Sequence, residues 1–154
     1  MINNEAREKL DLQFIQTKFS FLTQPQSLLA QKVLSQAIAM YPEINTAKDI
    51  KAPTGFIHAY DLTKLLITAI KQSDLKGDKH HDINVIKLAL EDLNTPVHGL
   101  IKLYQRPYSS YTLDNINAHD SLDETDYAMG YYQADNSVTL LPNISLSESL
   151  NEKN

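Results

Sequence analysis

Apolar and polar residues alternate over 12–17, Leu12-Gln13-Phe14-Ile15-Gln16-Thr17, and Phe19 and Phe21 continue the alternation. That period of two, carried by aromatic and branched side chains, predicts a strand. Thr23-Gln24-Pro25 punctuates the chain, and Ser27 stands where a helix cap belongs. Over 28–40 the period changes: Leu28, Leu29, Val33, Leu34, Ala37 and Ile38, then Tyr41, recur at helical spacing. This predicts an amphipathic helix with one buried face, ended by Tyr41-Pro42, because the residue before proline is pushed out of the helical region. Residues 43–52 read as a loop or short turn.

A second helix is expected over about 54–72, opened by Pro53-Thr54. Phe56, Ile57, Tyr60, Leu65, Leu66, Ala69 and Ile70 cover most of its girdle, so it is expected to lie deeper than the first. Residues 73–81 form a polar loop around Gly77, and Asp82 is the expected cap of a third helix with Val85, Ile86, Ala89, Leu90 and Leu93 facing inward. Asn94-Thr95-Pro96 closes that helix, and 97–104 reads as one strand. Arg106-Pro107-Tyr108 forces an extended turn, 112–124 is polar with a weak helical pattern at 118–122, and 127–133 with 138–141 forms a hairpin. The elements occupy residues 11–142, between a polar lead at 1–10 and a Ser/Asn/Glu-rich flexible tail at 143–154.

Composition narrows the function classes. The 154 residues suffice for an ordinary globular domain, and 42% hydrophobic residues supply a core. A formal net charge of −5 with no Lys/Arg cluster argues against nucleic acid, which needs concentrated cations. No run approaches the roughly 18 apolar residues of a membrane span. Cysteine is absent, excluding disulfides, thiol nucleophiles and cysteine metal sites. The polar start Met1-Ile2-Asn3-Asn4-Glu5 has no apolar core of a signal peptide, so the chain as written is expected to stay in the cytoplasm.

Few residues carry candidate chemistry. His80-His81-Asp82 has metal-ligand types, but adjacent histidines in an extended loop point apart, and further ligands would have to come from His58, His98 or His119. A solvated loop with a helix cap is the simpler reading. Tyr60-Asp61 is read as a packed tyrosine beside a carboxylate that serves the helix amino end or a neighbouring backbone, rather than as an acid/base pair. Ser27, Ser109 and Ser110 lack the glycine-flanked elbow of a hydrolase nucleophile. Four scattered glycines build no phosphate loop. The tyrosines of the second half (Tyr104, Tyr108, Tyr111, Tyr127, Tyr131 and Tyr132) are expected to pack on strand faces. Arg106, one of two arginines, is expected in a surface ion pair. No metal, cofactor or catalytic residue is expected, and the chain is expected not to be an enzyme.

One resemblance goes further. Pro53-Thr54-Gly55-Phe56 with Tyr60-Asp61, Leu88-Ala89-Leu90, Pro96-Val97-His98-Gly99, Pro107-Tyr108-Ser109, Ala118-His119-Asp120 and the hairpin Met129-Gly130-Tyr131-Tyr132 with Val138-Thr139-Leu140 follow one another in order. This series resembles the C-terminal half of type I periplasmic solute-binding proteins, the branched-chain amino acid receptors of ATP-binding-cassette importers. The resemblance implies a partial fold of that α/β type, with three main helices on a short mixed sheet plus a C-terminal hairpin. It implies a role in capturing amino acids, amides or similar small polar solutes, with importer membrane subunits as partners and a periplasmic location. By position it offers Asp11 as the carboxylate that holds a ligand amino group. Because such receptors close two lobes on the solute, this chain is expected to be unable to bind ligand alone. The alternative is a stand-alone interaction module that forms homo-oligomers through exposed sheet edges.

Overall fold

The computed structural model describes residues 13–23, 25–132 and 138–141. Asp11, the polar lead and the tail lie outside the described residues. In order, the elements are β1 (Gln13–Thr17), α1 (Leu28–Met40), a 3-10 turn (Ala47–Asp49), α2 (Pro53–Gln72), α3 (Lys79–Glu91), β2 (Val97–His98), β3 (Leu103–Tyr104), a second 3-10 turn (Glu124–Asp126), β4 (Tyr127–Tyr132) and β5 (Val138–Leu140). The architecture is mixed α/β, and the chain divides into two compact units. No helix among the described residues is long and apolar enough to cross a membrane.

The first unit takes the chain up to Lys51 and from Tyr127 onward. Its sheet has the order β1-β4-β5, antiparallel throughout. Ile15 faces Met129 and Thr17 faces Tyr127 across the β1–β4 ladder. The pleat puts these pairs on one face, where Ile15 is 72% exposed, and Phe14 and Gly130 on the other. Ser27 caps α1 as the sequence suggests, its hydroxyl accepting from the Ala30 N–H. The buried stripe is narrower than expected: Ala30, Val33 and Ala37 are covered, whereas Leu28, Ile38 and Tyr41 are exposed. Small residues thus make the contact. Thr46 and Asp49 form a capping box at the first 3-10 turn.

The second unit, Ala52–Asp126, carries the candidate chemistry. Pro53 occupies the first turn of α2, where its missing N–H costs nothing. Ile57, Asp61, Leu65 and Ala69 form its buried stripe, while Leu62, Leu66 and Ile67 face solvent. The broad girdle expected from the sequence is therefore a single line of four residues, and one of them is a carboxylate. The start of α3 also differs from expectation. Asp78 is its cap, accepting from the His81 N–H, and the helix begins at Lys79. Asp82 instead turns back to accept from the Lys76 and Gly77 N–H groups, so two nearby aspartates share the loop and the helix start. His80 and His81 consequently lie in the first helical turn, not in a loop.

The expected strand over 97–104 is a tight hairpin. Val97 pairs with Tyr104 and His98 with Leu103, and the Gly99 N–H donates to the Lys102 carbonyl. Both sheets are thus antiparallel among the described residues, where a mixed sheet was expected. The core joins Leu65 and Ala69 of α2, Ala89 of α3, Leu93, Val97 and Tyr104, with Leu90, Tyr108 and Leu122 packed at its margin. Gln72 locks the far end of α2 to the chain beyond α3: its amide nitrogen donates to the Asp92 carbonyl, and its amide oxygen accepts from the Asn94 N–H.

Asp61 holds the hairpin onto α2. One carboxylate oxygen accepts from the Leu100 N–H at 2.6 Å, and the other accepts from the Ile101 N–H at 3.0 Å and the Tyr104 hydroxyl at 2.9 Å. Only 2% of Asp61 is exposed, so these bonds replace its water. Gly99 is what lets the two elements meet. A Cβ there would lie 2.5 Å from the Tyr104 ring and 2.6 Å from an Asp61 oxygen. Burial, and then the neighbouring Asp61 carboxylate, hold the Tyr104 phenol far above its ordinary range, so it remains a protonated donor.

Replacing Asp61 by Ala strands two amide donors and a phenol, each worth about 1–3 kcal/mol when left unpaired. Urea unfolding of Asp61→Ala is expected to show a loss of about 3 kcal/mol or more, with Tyr104→Phe losing about 1 kcal/mol. Gly99→Ala is expected to lose about 3 kcal/mol through overlap alone. Equal, small losses in all three variants would show that the contact does not carry this weight.

Candidate functional site

One side of α3, reaching the core margin at Leu90, carries Ile83, Ile86, Lys87, Leu90 and Glu91, positions that share a face at helical spacing. Tyr108 and His119 stand across from it and complete an open cleft of about 450 Å³. That volume falls within the roughly 300–1,000 Å³ of small-molecule sites. Its floor is apolar, from the isoleucines, Leu90 and the Tyr108 ring. Lys87 and His119 both gather on Glu91 at one end.

Sequence neighbours place Tyr108 and His119 there. Arg106 takes a left-handed conformation, φ 47°, just before Pro107, and turns the chain out of β3 toward Tyr108. The Arg106 guanidinium lies 3.7 Å from Asp92, an exposed ion pair of the expected kind. Residues 109–118 then form a loop closed by the Ser109 N–H donating to the Ala118 carbonyl at 2.9 Å. The Asn115 amide donates to the Ser109 hydroxyl across it. Ala118 is buried, which fixes the neck of the loop and leaves His119 at the cleft.

Glu91 is the centre of the polar end. One of its carboxylate oxygens meets Lys87 Nζ at 3.2 Å and His119 Nε2 at 3.1 Å, and the other accepts from the Ser110 hydroxyl at 3.3 Å. The Glu91 side chain is 7% exposed, against 61% for Lys87 and 52% for His119. Burial works to raise its carboxyl, but the hydrogen bonds from Lys87 and His119, the Lys87 charge and the Ser110 hydroxyl outweigh it and hold the group below the ordinary glutamate range. An ionised carboxylate only accepts, so the proton on His119 Nε2 is fixed by this contact. Tyr111 lies beside His119, their ring centroids 6.4 Å apart.

The arrangement is poor for nucleophilic catalysis. Ser110 donates to Glu91 and not to His119, and a carboxylate held below the ordinary glutamate range is a weak base for that hydroxyl. A second, shallower hollow of about 270 Å³ lies by Gln72, Ser73, Asp74 and Asp92, but Gln72 and Ser73 already spend their polar groups on Asp92, Ala69 and Val85 carbonyls and the Asn94 N–H. Among the described residues no three His, Asp or Glu side chains converge as metal ligands. His81 bonds the Asp74 carbonyl through Nε2, while His58 keeps a buried ring nitrogen without a partner. Tyr60 and Asp61 do not cooperate chemically: Asp61 is spent on the hairpin, and burial followed by the Asp61 charge raises the Tyr60 phenol.

The chain matches no family model, no curated protein and no solved structure. The site therefore has to be read from its own chemistry. Glu91 and Lys87 were not singled out in the sequence. Their spacing of four residues was visible, but the Ser110 and His119 contacts come from 19 and 28 residues away and have no local signature.

Because the Glu91 carboxyl is held low in the folded state, its contribution to stability is present above the ordinary glutamate range and is lost as pH falls through the lowered value. Asp123, held low by its bonds from Thr125 and then by Lys102, acts in the same direction. Thermal unfolding is expected to drop below roughly pH 4.3, and more shallowly in Glu91→Gln than in the wild type. Parallel pH curves for the two proteins would contradict the role given to Glu91.

Proposed function

We propose that this protein is a non-enzymatic binding module for small solutes with a branched apolar body and a polar head, amino acids and amides among them. The observation that carries the reading is the cleft on α3: an apolar floor of ligand size with Lys87 and His119 collected on Glu91 at one end. Such a split lining orients an amphipathic molecule, since the floor takes the hydrocarbon and the rim takes the head. The weak basicity of Glu91, the group that accepts from Ser110, favours binding over turnover. The resemblance to branched-chain amino acid receptors points to the same solute class. Membership in that group, delivery to importer membrane subunits and a periplasmic location belong to the proposal.

The reading departs in one respect from the expectation that the isolated chain binds nothing. An open, one-sided cleft leaves part of a ligand in water, so it binds weakly rather than not at all. A dissociation constant on the order of 1 mM, about −4 kcal/mol, is the expected strength. In an NMR titration, leucine and valine should shift the amides of Leu90, Glu91, Tyr108 and His119, and glycine should not. No movement at these residues near the solubility limit of leucine would contradict the reading, as would turnover of simple esters.

A second reading is favoured by the β1 edge. Ile15 projects into solvent beside Met129, and the outer edge of β1 has no neighbouring strand among the described residues. An exposed edge with apolar residues is suited to pairing with another chain. Under this reading light scattering shows a dimer that Ile15→Lys dissociates. A monomer at all accessible concentrations would exclude it.

A further inference from the structure

The polar end of the α3 cleft offers donors and has almost no acceptor left to give. Glu91 is its one carboxylate, and both oxygens are engaged: Lys87 and His119 share one, and Ser110 takes the other. With 7% of its side chain exposed, Glu91 has little surface for an incoming ammonium group. An added cation there would also meet Lys87, which lies 3.2 Å from the same oxygen. Lys87 is the opposite case. It is 61% exposed, carries three N–H donors and gives one direction to Glu91, so two remain. His119 has spent Nε2 on Glu91, and only Nδ1 remains for a ligand. The Tyr108 hydroxyl donates or accepts equally well and does not discriminate.

We propose that the ligand of this cleft is an apolar monocarboxylate, its carboxylate received by Lys87 and its branched hydrocarbon laid on Ile83, Ile86 and Leu90. The inference rests on the solute-binding reading and sharpens it: the amino group of an amino acid contributes little, and the acid function is what the site selects. Glu91 is a positioning residue in this scheme. It holds Lys87 and His119 at the mouth of the cleft without touching the ligand. A carboxylate seated there gains a charge-assisted hydrogen bond from Lys87, and such bonds exceed neutral ones.

Three probes with one hydrocarbon body separate the possibilities: 4-methylpentanoate, 4-methylpentanamide and 4-methylpentylamine, titrated into the full chain at constant ionic strength and followed by NMR at Leu90, Tyr108 and His119. The acid is expected to bind about tenfold more tightly than the amide, the worth of one charge-assisted hydrogen bond, and the amine more weakly still. Lys87→Met should remove the advantage of the acid over the amide, the acid losing more affinity than the amide. Lys87→Arg should restore it. Equal affinity for acid and amide, or tightest binding of the amine, overturns the carboxylate assignment while the cleft stands as a binding site. If none of the three probes moves the cleft residues, the solute-binding reading fails and this inference falls with it.

Discussion

A carboxylate buried in the apolar stripe of a helix is costly unless hydrogen-bond donors replace the water that each oxygen loses. Asp61 meets that demand with two successive backbone N–H groups of the 99–102 turn and the phenol of Tyr104. The second unit depends on this exchange. Without it, α2 would present a bare charge to the core, and the short β2–β3 hairpin, two residues per strand, would have little of its own to hold it in place. Gly99 makes the approach possible by having no side chain where Asp61 and Tyr104 converge. Helix, glycine turn and tyrosine form one polar joint inside an otherwise apolar cluster.

The cleft follows from that joint. Tyr104 ends the hairpin within the core, and the chain leaving it is turned by Arg106-Pro107 so that Tyr108 lies along α3. The closed loop 109–118 then returns His119 to the same helix, where Glu91 fixes it. Glu91 repeats on the surface what Asp61 does in the core, collecting donors from segments distant in sequence. The difference lies in exposure. Asp61 is sealed by its partners, whereas Lys87 and His119 remain open to solvent around Glu91 and are available to something else.

Much of the element order was legible in the chain. The period of two before Thr17, the helical stripes bounded by Ser27, Pro53 and Pro96, and the 127–141 hairpin all appear where local pattern puts them. The errors have physical sources. Asp78 and Asp82 are equally good caps by residue type, and only the fold of the loop decides that Asp78 caps α3 while Asp82 binds the Lys76 and Gly77 amides. Val97 to Tyr104 reads as a continuous strand because its apolar content hides the break at Gly99. The width of the α2 stripe was overestimated because Leu66 and Ile70 suggest a broad apolar surface, whereas the packed line runs through Ile57, Asp61, Leu65 and Ala69. Asp61 was read as serving the helix amino end or a neighbouring backbone, and it serves the backbone of the 99–102 turn. Its partners, about forty residues on, were not legible.

The Leu100 and Ile101 N–H groups sit in a four-residue turn, and turn amides ordinarily exchange with solvent through small local openings. If the Asp61 carboxylate holds them, they can exchange only when the hairpin leaves α2. Native-state hydrogen exchange should then show both protected to the same free energy as the helical amides of Leu65 and Ala69. Exchange at Leu100 and Ile101 as fast as at the exposed loop residue Leu113 would contradict the account.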